Sequence, residues 1–489
     1  MDKHEFLKMQ SDMDKSIEKY IKLIHTKNTA WNSIPSHYYN EYNVKSGLRN
    51  ADGTGVLAGF TSIGEVHGYV MNEGNKAPVP GKLRYRGIDI EDIISACKAE
   101  RRFGFEETAF LLIFGFLPDK ELLDGFTKLL AQKRRLPDEF TEDMILKAPS
   151  KNIMNKLARS VLALYSYDDN PDEISIPNLL RQSFSLIARF PVLIANSYAS
   201  KRHYFDNQSL ILHNPVPEYS TAQNFLHLIR ADNKFTELEA EILDLALMLQ
   251  AEHGGGNNSA FTVHVLSSTG TDTYSAISAA VGSLKGPKHG GANDKMMSQM
   301  NEIKANVKNW EDKDEIYEYL KKILRKEAGD GNGLIYGIGH AVYTISDPRA
   351  IILKERAGYL AEQTGHSDEF ALYSAIEELA PIAFREIKGI DKPMCANIDF
   401  YSGFVYQMLG IPQELFTPIF AMARIVGWCA HRIEEVTTSN KIIRPAYKSA
   451  VKRLEYTPID ERKTPTKADI EMNTIKDQTA PSIDSETGD

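Results

Sequence analysis

The 489-residue sequence predicts a mainly α fold, and three observations lead there. Apolar residues recur at helical steps of three and four through most of the chain. Strand-like alternation is scarce. Neither a βαβ rhythm nor an internal repeat is present.

Taken in order, the first segment places Phe6, Met9, Met13, Ile17, Tyr20 and Ile24 on one stripe. That spacing predicts an amphipathic helix that docks on the body or on a partner. A zone rich in Gly, Thr and Val, from about Thr54 to Val70, is expected to hold a short hairpin. From there to about residue 455 the pattern is helical. At Thr236, the run Thr-Glu-Leu-Glu is a capping box, followed by Leu238, Ile242, Leu245 and Leu249 at helical spacing. Gly254-Gly255-Gly256 is expected to stop that helix. Asp347-Pro348 reads as an N-cap followed by proline at the first helical position, opening the helix that carries Ile351 and Leu353. The last segment, Thr457 to Asp489, has no aromatic residue and sets 4 Lys and Arg against 8 Asp and Glu. It is expected to be a mostly disordered acidic tail.

Composition excludes several functions. With 57 Lys and Arg against 66 Asp and Glu, the chain carries −9, which argues against a general binder of nucleic acid or of anionic membranes. No apolar run approaches the length of a membrane span, and the longest tempting stretch, Ala109 to Leu117, is half of it. Cys97, Cys395 and Cys429 are too far apart for a zinc module and too few for a disulfide scaffold. The N-terminus shows neither a signal core nor the character of a transit peptide. A soluble, cytoplasmic protein of a reducing compartment is expected.

Four segments do not look like core. Three surround histidine with glycine: Ala251 to Asn257 around His253, Gly286 to Asn293 around His289, and Gly337-Ile338-Gly339-His340. The fourth, Ala396 to Tyr401, sets Asp399 in an apolar and aromatic run. Gly254-Gly255-Gly256 follows a helix rather than a strand, so it is no dinucleotide turn, and no phosphate-binding P-loop occurs. His289 precedes a helix expected to begin near Gly290; a helix N-terminus disfavours imidazolium, leaving a neutral donor for a carbonyl oxygen. Partial desolvation between Ile398 and Phe400 would raise the basicity of Asp399. A neutral donor paired with a carboxylate base suits proton removal α to a carbonyl. Metal ligation by these histidines lacks a partner at i+3 or i+4. From Arg424 to Arg453 the chain is basic, with Arg424, Arg432, Lys441, Arg444, Lys448, Lys452 and Arg453 against Glu434 and Glu435. Arginine forks there suit a small dianionic or trianionic substrate, or else form a solvated helix face.

The ordered set of motifs resembles the citrate synthase family over roughly Leu57 to Arg453. It includes Leu83-Arg84-Tyr85-Arg86-Gly87, Asn224-Phe225-Leu226, the three histidine segments, Asp347-Pro348-Arg349, and Asn397 to Gly403. Ala423 to Trp428 and Arg444-Pro445 complete it. The resemblance implies a helical two-domain homodimer in which a small domain is inserted into a large one. By analogy the chain would divide into an N-terminal extension (1–50), the large domain (51–290 and 397–456), the small domain (291–396) and the tail (457–489). It implies condensation of acetyl-CoA with oxaloacetate and hydrolysis of citryl-CoA, with no metal and no tightly bound cofactor. Asp399 would be the base, His289 the donor to the thioester oxygen, and His340 the donor to the ketone. His253, Arg349 and Arg424 would hold the oxaloacetate carboxylates, and Arg444 would reach the site of the other subunit. A 2-methylcitrate synthase using propionyl-CoA and a non-catalytic binder of coenzyme A or carboxylates are the alternatives. Three positions depart from the family pattern: Gly254 after the first histidine, and Ala341 and Thr344 after the third. Lys288, Lys441 or Lys448 would then compensate at the coenzyme A phosphates.

Overall fold

A computed structural model describes residues 5, 15–23, 34–50, 52–72, 75–438, 441–451 and 453–463. The chain forms two compact units, Met1–Leu57 with Arg444–Asp489, and Ala58–Ile443. In the first unit the short helix His37–Glu41 sets Tyr38 edge-on to Tyr42, and Lys448 Nζ lies 4.9 Å from the centre of the Tyr42 ring. Of the N-terminal stripe, Ile17 and Tyr20 lie in the helix 15–23 and are exposed. Phe6, Met9, Met13 and Ile24 lie outside the described residues, as does 464–489 of the acidic tail.

The unit Ala58–Ile443 opens with an antiparallel sheet of β1 (Gly64–Asn72), β2 (Asn75–Tyr85) and β3 (Ile88–Asp89), in that order. Gly64 pairs with Tyr85 and Asn72 with Asn75, with a bulge between His67 and Tyr69. The hairpin therefore starts about ten residues later than the composition suggested, and it is longer. Pro78 and Pro80 hide β2 in the sequence. They are tolerated because β3 pairs only with Arg84 and Tyr85, so the strand has a free edge where the prolines sit.

No further strand follows among the described residues, in agreement with the mainly α fold expected. The apolar run after Phe105 is core: in α1 (Phe105–Phe114) every residue from Phe105 to Ile113 is buried. The 31-residue α2 (Ile176–Asp206) carries Pro191 in its interior and forms one wall. In α3 (Glu237–Gln250) the capping box is complete, with Thr236 accepting from the Glu239 amide and Glu239 accepting from the Thr236 amide. All residues from Ile242 to Gln250 are buried, so the helix is enclosed rather than amphipathic, and it ends at Gln250, before the glycines. Next come α4 (Asn258–Ser267), α5 (Ala292–Asn306), and α6 (Pro348–Thr364), which opens on the Asp347 cap. They are followed by α7 (Ile398–Met408) and α8 (Phe416–Thr438).

Helix α8 is the axis of the unit. It touches α1, α2, α3, α4 and α5, and its residues from Phe416 to Arg432 are all buried. Each large apolar side chain so enclosed contributes roughly 1.5–3 kcal/mol, which fixes the helix as a rigid platform. Among the described residues no helix is long and apolar enough to cross a membrane. Cys97, Cys395 and Cys429 are free thiols.

Candidate active site

The segment that carries His253 is held from two sides. The Tyr85 hydroxyl at the end of β2 donates to Met248 O at 2.9 Å and accepts from the Glu252 amide at 3.3 Å. On the other side Gly427 of α8 lets the helix backbone approach: a Cβ there would overlap Glu252 Oε2 and come within 2.6 Å of Ala251 O. Gly254 has φ +82°, a left-handed conformation that explains glycine at the position where the family pattern is departed from. So held, His253 is buried, and its Nε2 has no hydrogen-bond partner in the protein. Burial first, then the charge of Arg349, keeps its pKa well below the ordinary histidine value. It is neutral.

Two segments distant in sequence are pinned together to bring His340 near Asp399. Ile338 bridges Ala396, the Gly339 amide donates to Cys395 O at 2.8 Å, and the Asn397 amide donates to Gly337 O at 2.8 Å. Asn397 also donates its side chain to Gly339 O and caps α7 by accepting from the Asp399 amide. Nδ1 of His340 accepts from the amides of Val342 at 3.1 Å and Tyr343 at 3.0 Å. A neutral ring bonded in this way carries its proton on Nε2, where it can be donated. The ring stacks on Tyr343 at 4.8 Å and meets His253 edge-on at 5.2 Å.

Asp399 occupies the second position of α7, and its pKa is raised to about 6. Burial is the largest cause, while Arg349 and Arg424 act in the opposite direction. His289 lies in the turn before α5, as expected, with Nε2 3.1 Å from Ser259 Oγ. Its pKa is lowered to about 4, by burial first and Arg424 second, so desolvation rather than a helix dipole is the main cause of its neutrality. Trp428 also donates to Ser259 Oγ, at 3.1 Å, and fills one acceptor site of that hydroxyl. The Ser259 proton has two acceptors in reach, Asn257 Oδ1 at 3.0 Å and His289 Nε2. When it goes to Asn257, His289 donates from Nε2; when it turns to His289 Nε2, the ring proton sits on Nδ1 and faces away from Ser259.

The arginines fall into two kinds. Arg432, fully buried, is satisfied on all three nitrogens, by Thr273 Oγ1, Ser267 Oγ and Thr271 O. Two turns earlier, Arg424 is just as buried, yet only its Nε is bonded, to Gln250 O at 2.7 Å. Its Nη1 and Nη2 have no partner in the protein. Arg349 is forked onto Asp347 through Nε at 3.0 Å and Nη2 at 2.7 Å, and its guanidinium sits 5.7 Å from the Tyr343 ring centre. Electrostatic coupling joins these groups: His253 feels Arg349, His340, Arg424 and His289, and Asp399 feels Arg349 and Arg424. The fold therefore gathers His253, His289, His340, Arg349, Asp399 and Arg424 around one centre. Arg444 and Lys448 are exposed and belong to the unit formed by the two ends of the chain; Lys288, Ala341 and Lys441 are exposed as well. Sequence reading missed Glu252, Ser259, Asp347 and Tyr343 as members of the site, although each sits within six residues of a histidine or arginine it had singled out.

The family model "Citrate synthase, C-terminal domain" matches residues 51–446. The citrate synthase of Haloferax volcanii is 35% identical over 388 residues, 78% of this chain and 93% of that protein. The 2-methylcitrate synthase 1 of Corynebacterium glutamicum is 33% identical over 83% of this chain and 97% of that protein. The citrate synthase of Thermoplasma acidophilum, solved as a ternary complex with carboxymethyl coenzyme A and oxaloacetate, superposes with a TM-score of 0.69 at 26% identity. That likeness covers 86% of this chain and 99% of the other. The motifs, the helical architecture and these likenesses agree: the chain belongs to the citrate synthase family.

Proposed function

We propose that the protein condenses acetyl-CoA with oxaloacetate and hydrolyses the resulting citryl-CoA to citrate and coenzyme A. One observation carries the reading: the buried Arg424 presents two unpartnered nitrogens beside the unpartnered Nε2 of His253. Glu252 and Asp399 act on its charge from a distance, but the two nitrogens themselves are desolvated with no acceptor, which costs free energy. A substrate carboxylate received by the Arg424 fork removes that cost and turns it into affinity. Arg349, with Nη1 outside its pairing to Asp347, would take the second carboxylate.

In this reading the Ser259 hydroxyl turns from Asn257 Oδ1 to His289 Nε2, Asp399 removes a proton from the acetyl methyl group, and neutral His289 donates from Nδ1 to the thioester oxygen, so no full enolate charge develops. The carbon then attacks the oxaloacetate ketone, and His340 Nε2 gives its proton to the new alkoxide. Water cleaves the citryl thioester and releases citrate and coenzyme A. Both coenzyme A species come and go as substrate and product, and no resident cofactor or metal takes part in the chemistry. Residues 291–396 would act as the closing small domain, excluding water from the enol stage. Arg444 would complete the site of a second subunit in a homodimer, and the three free thiols suit a cytoplasmic setting.

The test is to follow free thiol with a chromogenic disulfide on adding acetyl-CoA and then oxaloacetate, with propionyl-CoA as a parallel arm. Thiol release that requires both substrates, with the higher kcat/KM for acetyl-CoA, is expected. One methylene is worth only about 1–3 kcal/mol of discrimination, so a preference for propionyl-CoA would reassign the enzyme to 2-methylcitrate synthesis. No thiol release from folded protein would overturn both.

A further inference from the structure

A second cluster packs against Gly255, in the glycine loop that follows His253, and is joined to the first through Glu252. His264 of α4 and His431 of α8 face each other with His264 Nε2 3.1 Å from His431 Nδ1. Glu434, one turn further along α8, brings Oε2 to 3.8 Å from His431 Nδ1. These three atoms lie within 4.8 Å of one another, and the Glu434 Oε2 is buried without a hydrogen-bond partner. The outer nitrogens are both occupied by carboxylates. His264 Nδ1 is 2.7 Å from Glu435 Oε2, and His431 Nε2 is 2.9 Å from Glu252 Oε1.

We propose that His264, His431 and Glu434 form a binding site for a divalent transition-metal ion of the zinc type, distinct from the catalytic centre. Carboxylates on the outer nitrogens fix the tautomers, with N–H on His264 Nδ1 and on His431 Nε2. The two inner nitrogens then turn lone pairs toward the same point. Something positive must sit between them, either one proton or a metal ion. Zinc–nitrogen bonds of about 2.0–2.1 Å at a tetrahedral angle set two ligand nitrogens roughly 3.3 Å apart, close to the separation already present. The Glu434 carboxylate supplies a third ligand after a closing movement of under about 1 Å. Its other oxygen is anchored by the amide and hydroxyl of Ser62 at 2.7 and 2.8 Å, which aims the free oxygen at the histidines. Imidazole with one carboxylate suits zinc, cobalt or nickel rather than magnesium or calcium. Gly255 closes the cluster; a Cβ there would stand 3.5 Å from His264 Nε2. A bound ion would therefore tie α4 and α8 to the loop that positions His253.

The experiment titrates chelator-stripped full-length protein with Co2+, reading visible ligand-field absorption, and then displaces Co2+ with Zn2+. One equivalent per chain is expected, with the intense absorption of a four-coordinate ion that Zn2+ abolishes. His264→Gln and Glu434→Gln should each remove that absorption, and Glu435→Gln should weaken binding by about 10–100-fold. Glu434→Gln keeps an oxygen for Ser62, so it serves if the histidine variant does not fold. Absence of a four-coordinate spectrum in the wild type would overturn the site and leave the two histidines sharing a proton. Binding that persists unchanged in both variants would overturn it equally.

Discussion

Asp399→Asn should separate catalysis from stability in opposite directions. The carboxyl is raised from 3.8 to about 6, chiefly by burial, so its ionised form is disfavoured in the folded protein. Roughly two pH units at 1.36 kcal/mol each amount to about 3 kcal/mol, an upper figure because one face of Asp399 keeps some solvent contact. The sign follows from the raised folded value. Above pH 6 the wild type bears the whole penalty; between 6 and about 4 it fades; below the unfolded value it is gone. Asparagine mimics the protonated acid at every pH. The variant should therefore be more stable at pH 8 by up to about 3 kcal/mol, with the gain shrinking to nothing near pH 4. Turnover should fall by about 10²–10⁴-fold, the usual worth of a general base. Urea melts of both proteins at pH 8 and pH 4.5, beside thiol-release assays, test the two halves. A variant that is less stable at pH 8, or equally stabilised at both pH values, would refute the burial argument. Turnover within tenfold of wild type would refute the role of the base.

Replacing Arg424 by Met removes two buried nitrogens that have no acceptor but also takes a cation away from Glu252 and Asp399, so the stability of the unliganded protein should change by no more than about 1 kcal/mol. The same change should weaken oxaloacetate binding by at least 2 kcal/mol, about 30-fold, measured by calorimetry. Gly427→Ala gains up to about 1 kcal/mol of helix propensity but overlaps Glu252 and Ala251, a clash of about 1–3 kcal/mol. A net loss in Tm, with a higher KM for oxaloacetate, is the expected outcome. The acid limb of kcat/KM for acetyl-CoA should lie near pH 6 at low oxaloacetate and move upward as oxaloacetate saturates.

Several residues of this site are legible in the sequence, and the reason is chemical. Glycine beside histidine is costly inside helices, so His253, His289 and His340 stood out, and Asp399 stood out against its apolar neighbours. Caps at Thr236 and Asp347 were equally plain because a side chain writes them locally. What stayed hidden depends on partners far along the chain. Arg424 and Arg432 look alike in sequence, yet one is saturated by α4 and the start of the following helix while the other, lying over the Phe420 ring, keeps two nitrogens without a hydrogen-bond partner. The hairpin was misplaced because Pro78 and Pro80 disguise a strand whose edge happens to be free. His264 gave no signal at all, since its meaning comes from His431, 167 residues away.

The same couplings imply an order of events. In the unliganded protein Arg349 and Arg424 both draw the pKa of Asp399 downward, against the effect of burial. In the proposed mechanism an oxaloacetate carboxylate on each guanidinium would cancel that pull, and closure over the substrate would deepen the desolvation. Both changes push Asp399 the same way, toward a stronger base. His253 and His289 respond in the matching sense, because Arg424 also lowers their pKa values, though burial remains dominant and keeps them neutral. If Asp399 is the base of the proposed mechanism, it would thus reach full strength only after its acceptor is bound. Acetyl-CoA arriving alone would then meet a carboxylate still weakened by two uncovered arginines, and the arrangement would disfavour proton removal with no ketone present.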